Sequence, residues 1–150
     1  MKALVQRVAE AGVSVGDELL ASIGTGYLVL FGVAATDTLD MAGRMAKKLV
    51  DLRIFEDDEG KTNRSIVDVG GEVIVVSQFT LYADTDRGRR PGFSAAARAE
   101  IAIPVYERFV AELRDLLGAD KVGTGRFGAD MKVALVNDGP FTVELKEEAK

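Results

Sequence analysis

The sequence predicts a single α+β domain that contains many strands and two or more helices. Segments of alternating or continuous apolar residues, typical of strands, occupy the first third, the middle and the C-terminal third of the chain. Helical spacing of apolar residues occurs only between those segments. A length of 150 residues without a linker or internal repeat fits one hydrophobic core, so we expect one domain over residues 1–150.

The first third of the chain predicts four short strands separated by glycine turns. The strands are expected at 4–8, 13–15, 19–23 and 27–33, with turns at Gly12, Gly16-Asp17 and 24–26. The last of these strands is a continuous apolar run, which favours a buried strand.

A helix is expected next, capped by Asp37 or Thr38. Its apolar positions keep helical spacing, and we interpret them as core residues: Met41, Met45, Leu49 and Leu52. The acidic run at 56–61 favours a solvated turn over a cation site, because it lacks the alternating ligands and central glycine of a calcium loop.

The second half of the chain predicts further strands on either side of helical segments. The expected elements are strands at 66–69 and 72–76, an extension of the latter through 77–82, a helical stretch from Ser94, a second helix with Pro104 in its first turn that ends at Leu117, and strands at 122–127, 131–136 and 141–145. Gly118 is the expected stop signal of the second helix.

The chain contains neither histidine nor cysteine, which limits the chemistry that it can perform. Without cysteine there is no disulfide and no thiolate metal site, and without histidine there is no Ser-His-Asp triad and none of the usual zinc sites. Any enzymatic reaction must therefore use carboxylates, hydroxyls, backbone amides or the substrate itself. We expect neither a metal nor a cofactor.

Hydropathy and charge indicate a cytosolic protein and leave its partners open. No stretch approaches the ~20 apolar residues of a membrane span, and Arg7 interrupts the apolar run that a signal peptide needs. The formal net charge is −5, but nucleic-acid binding depends on local potential. Segment 84–92 concentrates Arg87, Arg89 and Arg90, for which a solvated loop is the favoured interpretation on charge pattern alone.

Two segments place polar residues where local preferences do not expect them. Ser77-Gln78-Phe79-Thr80 continues an apolar strand, and its simplest interpretation is an edge strand that leaves the core. Asn137-Asp138-Gly139-Pro140 lies between two strands, and its residue types favour a β-turn. Gly139-Pro140 also permits a cis peptide, which only about 5–6% of X-Pro bonds adopt.

Together these segments resemble the signature pair of the D-aminoacyl-tRNA deacylase (D-tyrosyl-tRNA deacylase) family. The family motifs are Ser-Gln-Phe-Thr and Asn-x-Gly-Pro-x-Thr, matched here by 77–80 and 137–142. Five more segments resemble the family in the same order: Gln6-Arg7-Val8, 52–55, Gly60-Lys61-x-Asn63, Gly88-x-Arg90-Pro91-x-Phe93 and 125–131. Three positions depart from the family pattern: Thr62 where methionine is usual, Gly92 where serine is usual and Phe141 where valine is usual.

The resemblance implies a barrel-like core and a homodimer with two active sites at its interface. The catalytic segment Ser77, Gln78, Phe79 and Thr80 of one subunit lines each pocket, and Gly139-Pro140 of the other subunit enters it in the cis form. Arg7 holds that dipeptide in place, and the substrate-binding set also includes Asn137 and Met131. The implied substrate is the acceptor end of D-aminoacyl-tRNA, and no membrane and no other protein partner is implied.

The residues are compatible with hydrolysis of an aminoacyl ester. Backbone N–H groups around Phe79 and Thr80 are candidates for stabilising the oxyanion. Thr80 has no histidine to activate it as a nucleophile, so a positioning role with attack by water is favoured. We expect Arg87, Arg89, Arg90 and Lys61 to contact tRNA phosphates and Phe79 or Phe93 to stack on the terminal adenine, although both aromatics also suit a core.

Two alternatives remain open from the sequence. A non-catalytic nucleic-acid-binding module would use the same 87–90 arginines, but pure binding needs neither motif of the signature pair. A hydrolase of free D-amino-acid esters or peptides would need the motifs but no phosphate contacts. If the site selects by excluding an L-side chain, glycyl-tRNA also becomes a substrate.

Overall fold

A computed structural model describes residues 1–150, with eight strands, two α-helices and two short 3-10 helices. The strands are β1 (Lys2–Val15), β2 (Glu18–Ile23), β3 (Gly26–Gly32), β4 (Phe55–Glu56), β5 (Thr62–Arg64), β6 (Glu72–Ser77), β7 (Val122–Thr124) and β8 (Lys132–Lys146). The helices are α1 (Leu39–Asp51) and α2 (Ala99–Leu117), and the 3-10 helices are Phe79–Tyr82 and Ala119–Lys121. The predicted α+β class with two main helices is confirmed.

Strand β1 organises the main sheet. Its 14 residues pair antiparallel with β2, β3 and β8. Parallel pairing of β3 with β6 and of β6 with β7 completes the order β2-β1-β3-β6-β7, with β8 beside β1. The two ends of this order come close, since a Cβ added to Gly123 of β7 would lie 2.7 Å from the Cβ of Ala21 in β2. The sheet is therefore nearly closed, which confirms the barrel-like form.

Alternate residues of the sheet face two apolar clusters, as the period of a strand requires. One cluster lies between the sheet and the two helices, where the rings of Phe31 and Phe109 stack with centroids 4.2 Å apart. The other cluster lies inside the curl of the sheet and includes Val8, Leu28 and Ile74. No helix of this protein is long and apolar enough to cross a membrane.

Thr38 rather than Asp37 caps helix α1. The Thr38 hydroxyl accepts a hydrogen bond from the N–H of Met41 at 3.4 Å. Asp37 is buried and instead accepts from the N–H of Ala34 at 2.7 Å, while its carboxylate contacts the α-ammonium of Met1 at 2.7 Å. The predicted methionine stripe is buried in the core.

Two predictions in the first half of the chain are wrong. No turn interrupts β1 at Gly12, because this residue pairs with Ser22 on one side and Ala134 on the other. Residues 66–69 form a turn instead of a strand. The N–H of Gly71 donates to the carbonyl of Ile66 at 2.9 Å, and the turn buries the Ile66 side chain in the core. Here tertiary burial overrides strand propensity.

The predicted helical stretch from Ser94 is wrong, and the second helix begins at Ala99 instead of near Pro104, although it ends at Leu117 with Gly118 as its C-cap, as predicted. The N–H of Ala97 donates to the carbonyl of Val33 at 2.8 Å, and the segment before it forms a turn in which the N–H of Ala96 donates to the carbonyl of Phe93. Pro104 is tolerated inside α2 because it removes a hydrogen bond only from Glu100, an exposed residue of the first turn.

Three strand boundaries also differ from the prediction. The strand from 72 ends at Ser77 and is followed by a 3-10 helix, so 77–82 does not extend it. The strand expected at 122–127 stops at Thr124. The strands expected at 131–136 and 141–145 are one strand, β8, so 137–140 is an interruption within β8 instead of a turn that reverses the chain.

Candidate active site

The Ser77–Thr80 segment is polar because the chain leaves the sheet there. The N–H of Gln78 donates to the carbonyl of Phe31 at 2.8 Å, which is the last tie to β3. A 3-10 helix then begins at Phe79. The first N–H groups of a helix have no acceptor within the helix, so those of Phe79 and Thr80 remain available. The Thr80 hydroxyl accepts a hydrogen bond from the side-chain amide of Gln78.

A cavity of about 290 Å³ opens beside this segment. We call it the pocket. Ser77, Gln78, Phe79 and Met131 line it. Its other lining residues are mostly apolar: Phe31, Val33, Val76, Ala97, Ala102, Tyr106, Phe127, Gly128, Ala129, Asp130 and Val133. The structure therefore brings together three of the four predicted catalytic residues and Met131. Thr80 does not line the pocket.

Met131 is held in the wall of the pocket by the segment that precedes it. Its sulfur accepts a hydrogen bond from the N–H of Arg126 at 3.4 Å. A Cβ at Gly125 would collide with the same sulfur, so only glycine allows this approach. The wall is completed by Tyr106 and Phe127, whose rings meet edge to face with centroids 6.0 Å apart. No pattern in the sequence indicated that Tyr106 lines the pocket.

Residues 138–141 form an exposed bulge in β8. Gln6 of β1 pairs with Thr142 and Val8 pairs with Asn137, so Arg7 alone lies opposite the four residues 138–141 of β8. Within this bulge the Gly139-Pro140 peptide is cis, as the resemblance implies, and both residues are exposed.

Asn137 ties the two ends of the 138–141 bulge together. Its side-chain N–H₂ group donates to the carbonyl of Arg7 at 2.9 Å and to that of Phe141 at 3.0 Å. The hydroxyl of Thr142 also donates to the side-chain oxygen (Oδ1) of Asn137 at 3.4 Å. The motif asparagine and threonine therefore support the bulge from within the chain.

Arg7 lies beneath the bulge and is buried, with 5% of its surface exposed. Its Nε donates to the carbonyl of Asp138 at 3.1 Å and its Nη1 donates to the carbonyl of Ile54 at 2.6 Å. The guanidinium lies 4.9 Å from the centre of the Phe141 ring, at the position where the family usually has valine. A Cβ at Gly139 would lie 2.9 Å from Nη2 of Arg7, so a larger residue there would press on the guanidinium.

The electrostatics around Arg7 are set by burial. Tyr27 lies opposite Arg7 in the β1–β3 ladder, and its buried hydroxyl has no hydrogen-bond partner. Burial raises the pKa of Tyr27 far above its ordinary value, and the nearby Arg7 charge lowers it only in part. The Tyr27 phenol therefore stays neutral and cannot act as an acid or a base near neutral pH.

The arginine loop, residues 84–92, is closed at its base and open at its tip. Asp84 and Gly92 exchange two backbone hydrogen bonds of 2.7 and 2.8 Å. Arg87, Arg89 and Arg90 are exposed between them. Lys61 is exposed on the β4–β5 hairpin, with an ion pair to Glu59 at 3.6 Å. None of these four cations lines the pocket.

An aromatic pair connects the loop base to the pocket. The rings of Phe79 and Phe93 meet edge to face with centroids 5.0 Å apart, and both are partly exposed. The bulge is separate from this arrangement, since Arg7, Asn137, Gly139 and Pro140 do not line the pocket of their own chain. No group of three or more histidine, cysteine, aspartate or glutamate side chains is arranged to hold a metal ion.

Comparison with known proteins identifies the family. The family described as D-Tyr-tRNA(Tyr) deacylase matches residues 4–146. The chain belongs to this family.

Relatives of the deacylase family cover the whole chain. A D-aminoacyl-tRNA deacylase of Roseiflexus sp. (strain RS-1) is 58% identical over 97% of this chain and 92% of its own length. One of Chlorobaculum tepidum is 55% identical over 100% and 99%. The suspected family membership is thereby confirmed.

Solved structures share the fold. A protein described as c-Myc DNA Unwinding Element Binding Protein has a TM-score of 0.93 and 41% identity, and the match covers 99% of this chain and all of that one. A probable eukaryotic D-amino acid tRNA deacylase has a TM-score of 0.84, covering 96% and 97% of the two chains. Its identity of 18% supports the fold alone.

Proposed function

We propose that this protein hydrolyses the ester bond of D-aminoacyl-tRNA, as one domain over residues 1–150 that acts in the cytoplasm. Full-length relatives named D-aminoacyl-tRNA deacylase support the reaction class. The observation that carries the proposal is the geometry of the two motifs. Ser77–Phe79 lines a pocket, whereas Gly139-Pro140 lies on an exposed bulge that does not line it.

The active site forms between two subunits. Gly139 and Pro140 are absent from the pocket of their own chain, so the bulge of one subunit enters the pocket of its partner. The edge of β8 that faces away from β1 has no partner strand, and Val136 on this strand is 50% exposed. An unpaired edge of 15 residues favours association with a second copy.

Water is the attacking group in this mechanism. Its oxygen adds to the ester carbonyl carbon, the bond from that carbon to the ribose oxygen breaks, and a water proton passes to the ribose oxygen. The adjacent free hydroxyl of the terminal ribose assists the attack. Thr80 positions the reactants and is not the nucleophile, because its hydroxyl has no general base and is held by Gln78.

The free N–H groups of Phe79 and Thr80 stabilise the oxyanion that forms on the carbonyl oxygen. They lie at the start of a 3-10 helix, where the backbone supplies no acceptor. Each donor of this kind contributes about 2.7–4 kcal/mol to the transition state. Because the donors belong to the backbone, they need no titratable group, in keeping with a chain that lacks histidine.

Chirality is selected by exclusion. The carbonyl oxygens of Gly139 and Pro140 accept hydrogen bonds from the substrate α-ammonium group, while the oxyanion donors fix the carbonyl. A D-side chain then points into open space, whereas an L-side chain meets the backbone of the site. Glycine has no side chain to exclude, so glycyl-tRNA is also hydrolysed.

The acceptor end of tRNA lies across the arginine loop. Arg87, Arg89, Arg90 and Lys61 contact its phosphates, which gives affinity without sequence preference. The exposed ring of Phe79, braced by Phe93, provides a surface on which the terminal adenine stacks.

A second candidate function is nucleic-acid binding without catalysis. It is favoured by the structural relative described as a DNA unwinding element binding protein and by the exposed arginine loop. Binding alone gives no reason for the contacts that hold the 138–141 bulge, so we rank it second.

The deciding experiment compares D-tyrosyl-, L-tyrosyl- and glycyl-tRNA at one enzyme concentration. We expect loss of the D-tyrosyl and glycyl esters and survival of the L-tyrosyl ester. Binding of all three without ester loss would leave nucleic-acid binding as the function. Equal cleavage of free D-tyrosine ethyl ester would show that tRNA is not part of the specificity.

A further inference from the structure

Two segments singled out in the sequence, 52–55 and 60–63, have no part in the chemical steps above, apart from the tRNA contact proposed for Lys61. The first leads into β4 and the second into β5, and Ile54 supplies the carbonyl that accepts from Arg7. We propose that Arg53 and Asn63 are positioning residues that fix this carbonyl and, through Arg7, orient the 138–141 bulge. The catalytic consequence rests on the proposed function, whereas the structural link does not.

Arg53 and Asn63 tie the irregular segment before β4 to the opposite strand. Residues 52–54 belong to no helix or strand. Nε of Arg53 donates to the backbone carbonyl of Asn63 at 2.8 Å, and its Nη2 contacts the Asn63 side-chain oxygen. Phe55 pairs with Arg64 at the start of the short β4–β5 ladder. The two contacts of Arg53 therefore join the chain just before this ladder to β5.

A second anchor holds the other side of the Ile54 carbonyl. The ring of Phe55 stacks on Tyr27 with centroids 5.2 Å apart and an interplanar angle of 23°. Tyr27 is fully buried and lies opposite Arg7 in the β1–β3 ladder. The carbonyl is therefore held between a stacked pair inside the core and the Arg53–Asn63 link at the surface.

The contacts form a continuous chain from the hairpin to the bulge. Asn63 contacts Arg53, the next residue Ile54 accepts from Nη1 of Arg7 at 2.6 Å, and Nε of Arg7 donates to Asp138 at 3.1 Å. A guanidinium is planar and its donors have fixed directions, so a displaced acceptor on one side rotates the whole group. Such a rotation moves the Asp138 carbonyl and the adjacent Gly139-Pro140.

The exposure of the link separates this role from a contribution to stability. Both Arg53 and Asn63 are exposed, and a surface contact of this type adds little to the free energy of unfolding. Arg108 offers a matched control, because it is a partly exposed arginine on α2 with one partner, Glu112, at 2.7 Å. It contacts neither the pocket nor the bulge.

Kinetics of three variants test the proposal. Arg53→Ala is expected to lower kcat for D-tyrosyl-tRNA by about tenfold. Its melting temperature should be the same as that of the control variant Arg108→Ala. Asn63→Asp retains the acceptor oxygen but loses the hydrogen bond to the Asp57 carboxylate, so its rate should lie between those of the wild type and Arg53→Ala. In an Arg7→Lys background, Arg53→Ala should have no further effect, because the two residues act through one chain of contacts. An effect on KM alone would instead assign Arg53 to tRNA contact and overturn the proposal.

A spectroscopic measurement tests the link without any substrate. The Nε–H of Arg7, identified by its loss in Arg7→Lys, is expected to exchange slowly with solvent in the wild type and faster in Arg53→Ala. If Arg53→Ala does not fold, Asn63→Ala gives a smaller change in the same direction. Unchanged exchange in a folded variant overturns the proposal. If the wild type does not cleave D-tyrosyl-tRNA, the proposed function fails and this measurement still decides the link.

Discussion

Replacement of Arg7 by methionine removes the group that holds the bulge while keeping most of its volume. Methionine is unbranched and adapts to the space left by the aliphatic part of arginine. Two carbonyl acceptors lose their donor: that of Ile54, which is buried, and that of Asp138, which lies at the surface.

The two losses differ in size. A buried acceptor without a partner costs about 1–3 kcal/mol, so the Ile54 carbonyl contributes the larger part. The exposed Asp138 carbonyl can bind water, so only the net value of a hydrogen bond is lost, about 0.5–1.5 kcal/mol. We therefore expect Arg7→Met to lower the free energy of unfolding by about 1.5–4.5 kcal/mol, or roughly 3–18 °C in melting temperature.

Urea unfolding and deacylation at fixed protein concentration provide the assay. Arg44→Met is the control, because the Arg44 side chain is 58% exposed and has one ion pair with Glu147. It should change the free energy of unfolding by less than about 0.5 kcal/mol. At a temperature where both variants are folded, Arg7→Met should also lose about a hundredfold in kcat through misplacement of Gly139-Pro140.

Equal unfolding midpoints and equal rates for the two methionine variants would refute the assigned role of Arg7. If Arg7→Met loses stability but keeps a normal rate, the buried contacts of Arg7 stabilise the fold without contributing to catalysis. Loss of rate with normal stability would mean that the Ile54 carbonyl finds another donor when Arg7 is absent.

The remaining predictions concern the tRNA contact, the interface, the substrate range and alkaline stability. Replacing Arg89 and Arg90 by glutamate should raise the apparent Kd for tRNA and reduce its log–log salt dependence by about one unit per lost phosphate contact; an unchanged slope would mean that the loop is only solvated. Mixing Thr80→Ala with Gly139→Ala chains, each expected to be impaired alone, should raise activity toward about a quarter of the wild-type value, because half of the dimers are hybrid and each hybrid has one intact site; a fully active monomer would contradict this. Single-turnover assays should show cleavage of glycyl- and D-alanyl-tRNA but not L-alanyl-tRNA, and resistance of glycyl-tRNA would rule out selection by exclusion. Burial raises the pKa of Tyr106 to about 12, so this tyrosine ionises first in the unfolded state and the free energy of unfolding should fall between about pH 10 and pH 12. In urea unfolding, Tyr106→Phe should show a shallower decline with pH. An equal slope would exclude this tyrosine as the source of the decline.

The sequence predicted the fold class and the motif segments because both depend on local pattern. Alternating apolar residues identified the strands of the first third, and helical spacing identified α1 through Met41, Met45 and Leu49. The errors at Gly12 and Ser94 have a common cause, because both segments are fixed by partners distant in the chain, such as Ala134 for Gly12 and Val33 for Ala97. The turn at 66–69 has local hydrogen bonds, but it buries Ile66 against core residues that are distant in the chain. Local preferences carry no information about those partners.

The candidate site shows the same division. The resemblance supplied Ser77–Thr80 and Gly139-Pro140, but no pattern indicated which residues would share a pocket. Tyr106 and Phe127 come from elements that meet only in the folded chain. The sequence also could not predict the partner of Arg7. Ile54 accepts through its backbone carbonyl, which every residue type has.

Strand β8 contributes to two places at once, and this limits how its length can change. Met131, just before its first residue, and Val133, near its start, line the pocket of their own chain, and the 138–141 bulge begins five residues after Val133. Insertion or deletion of one residue between Val133 and Asn137 would turn every following side chain to the opposite face of the sheet. The arginine loop has no such restriction, since its base is closed by Asp84 and Gly92 whatever lies between them. Among natural variants of this chain, length differences should therefore accumulate at 85–91 and be absent from 132–137.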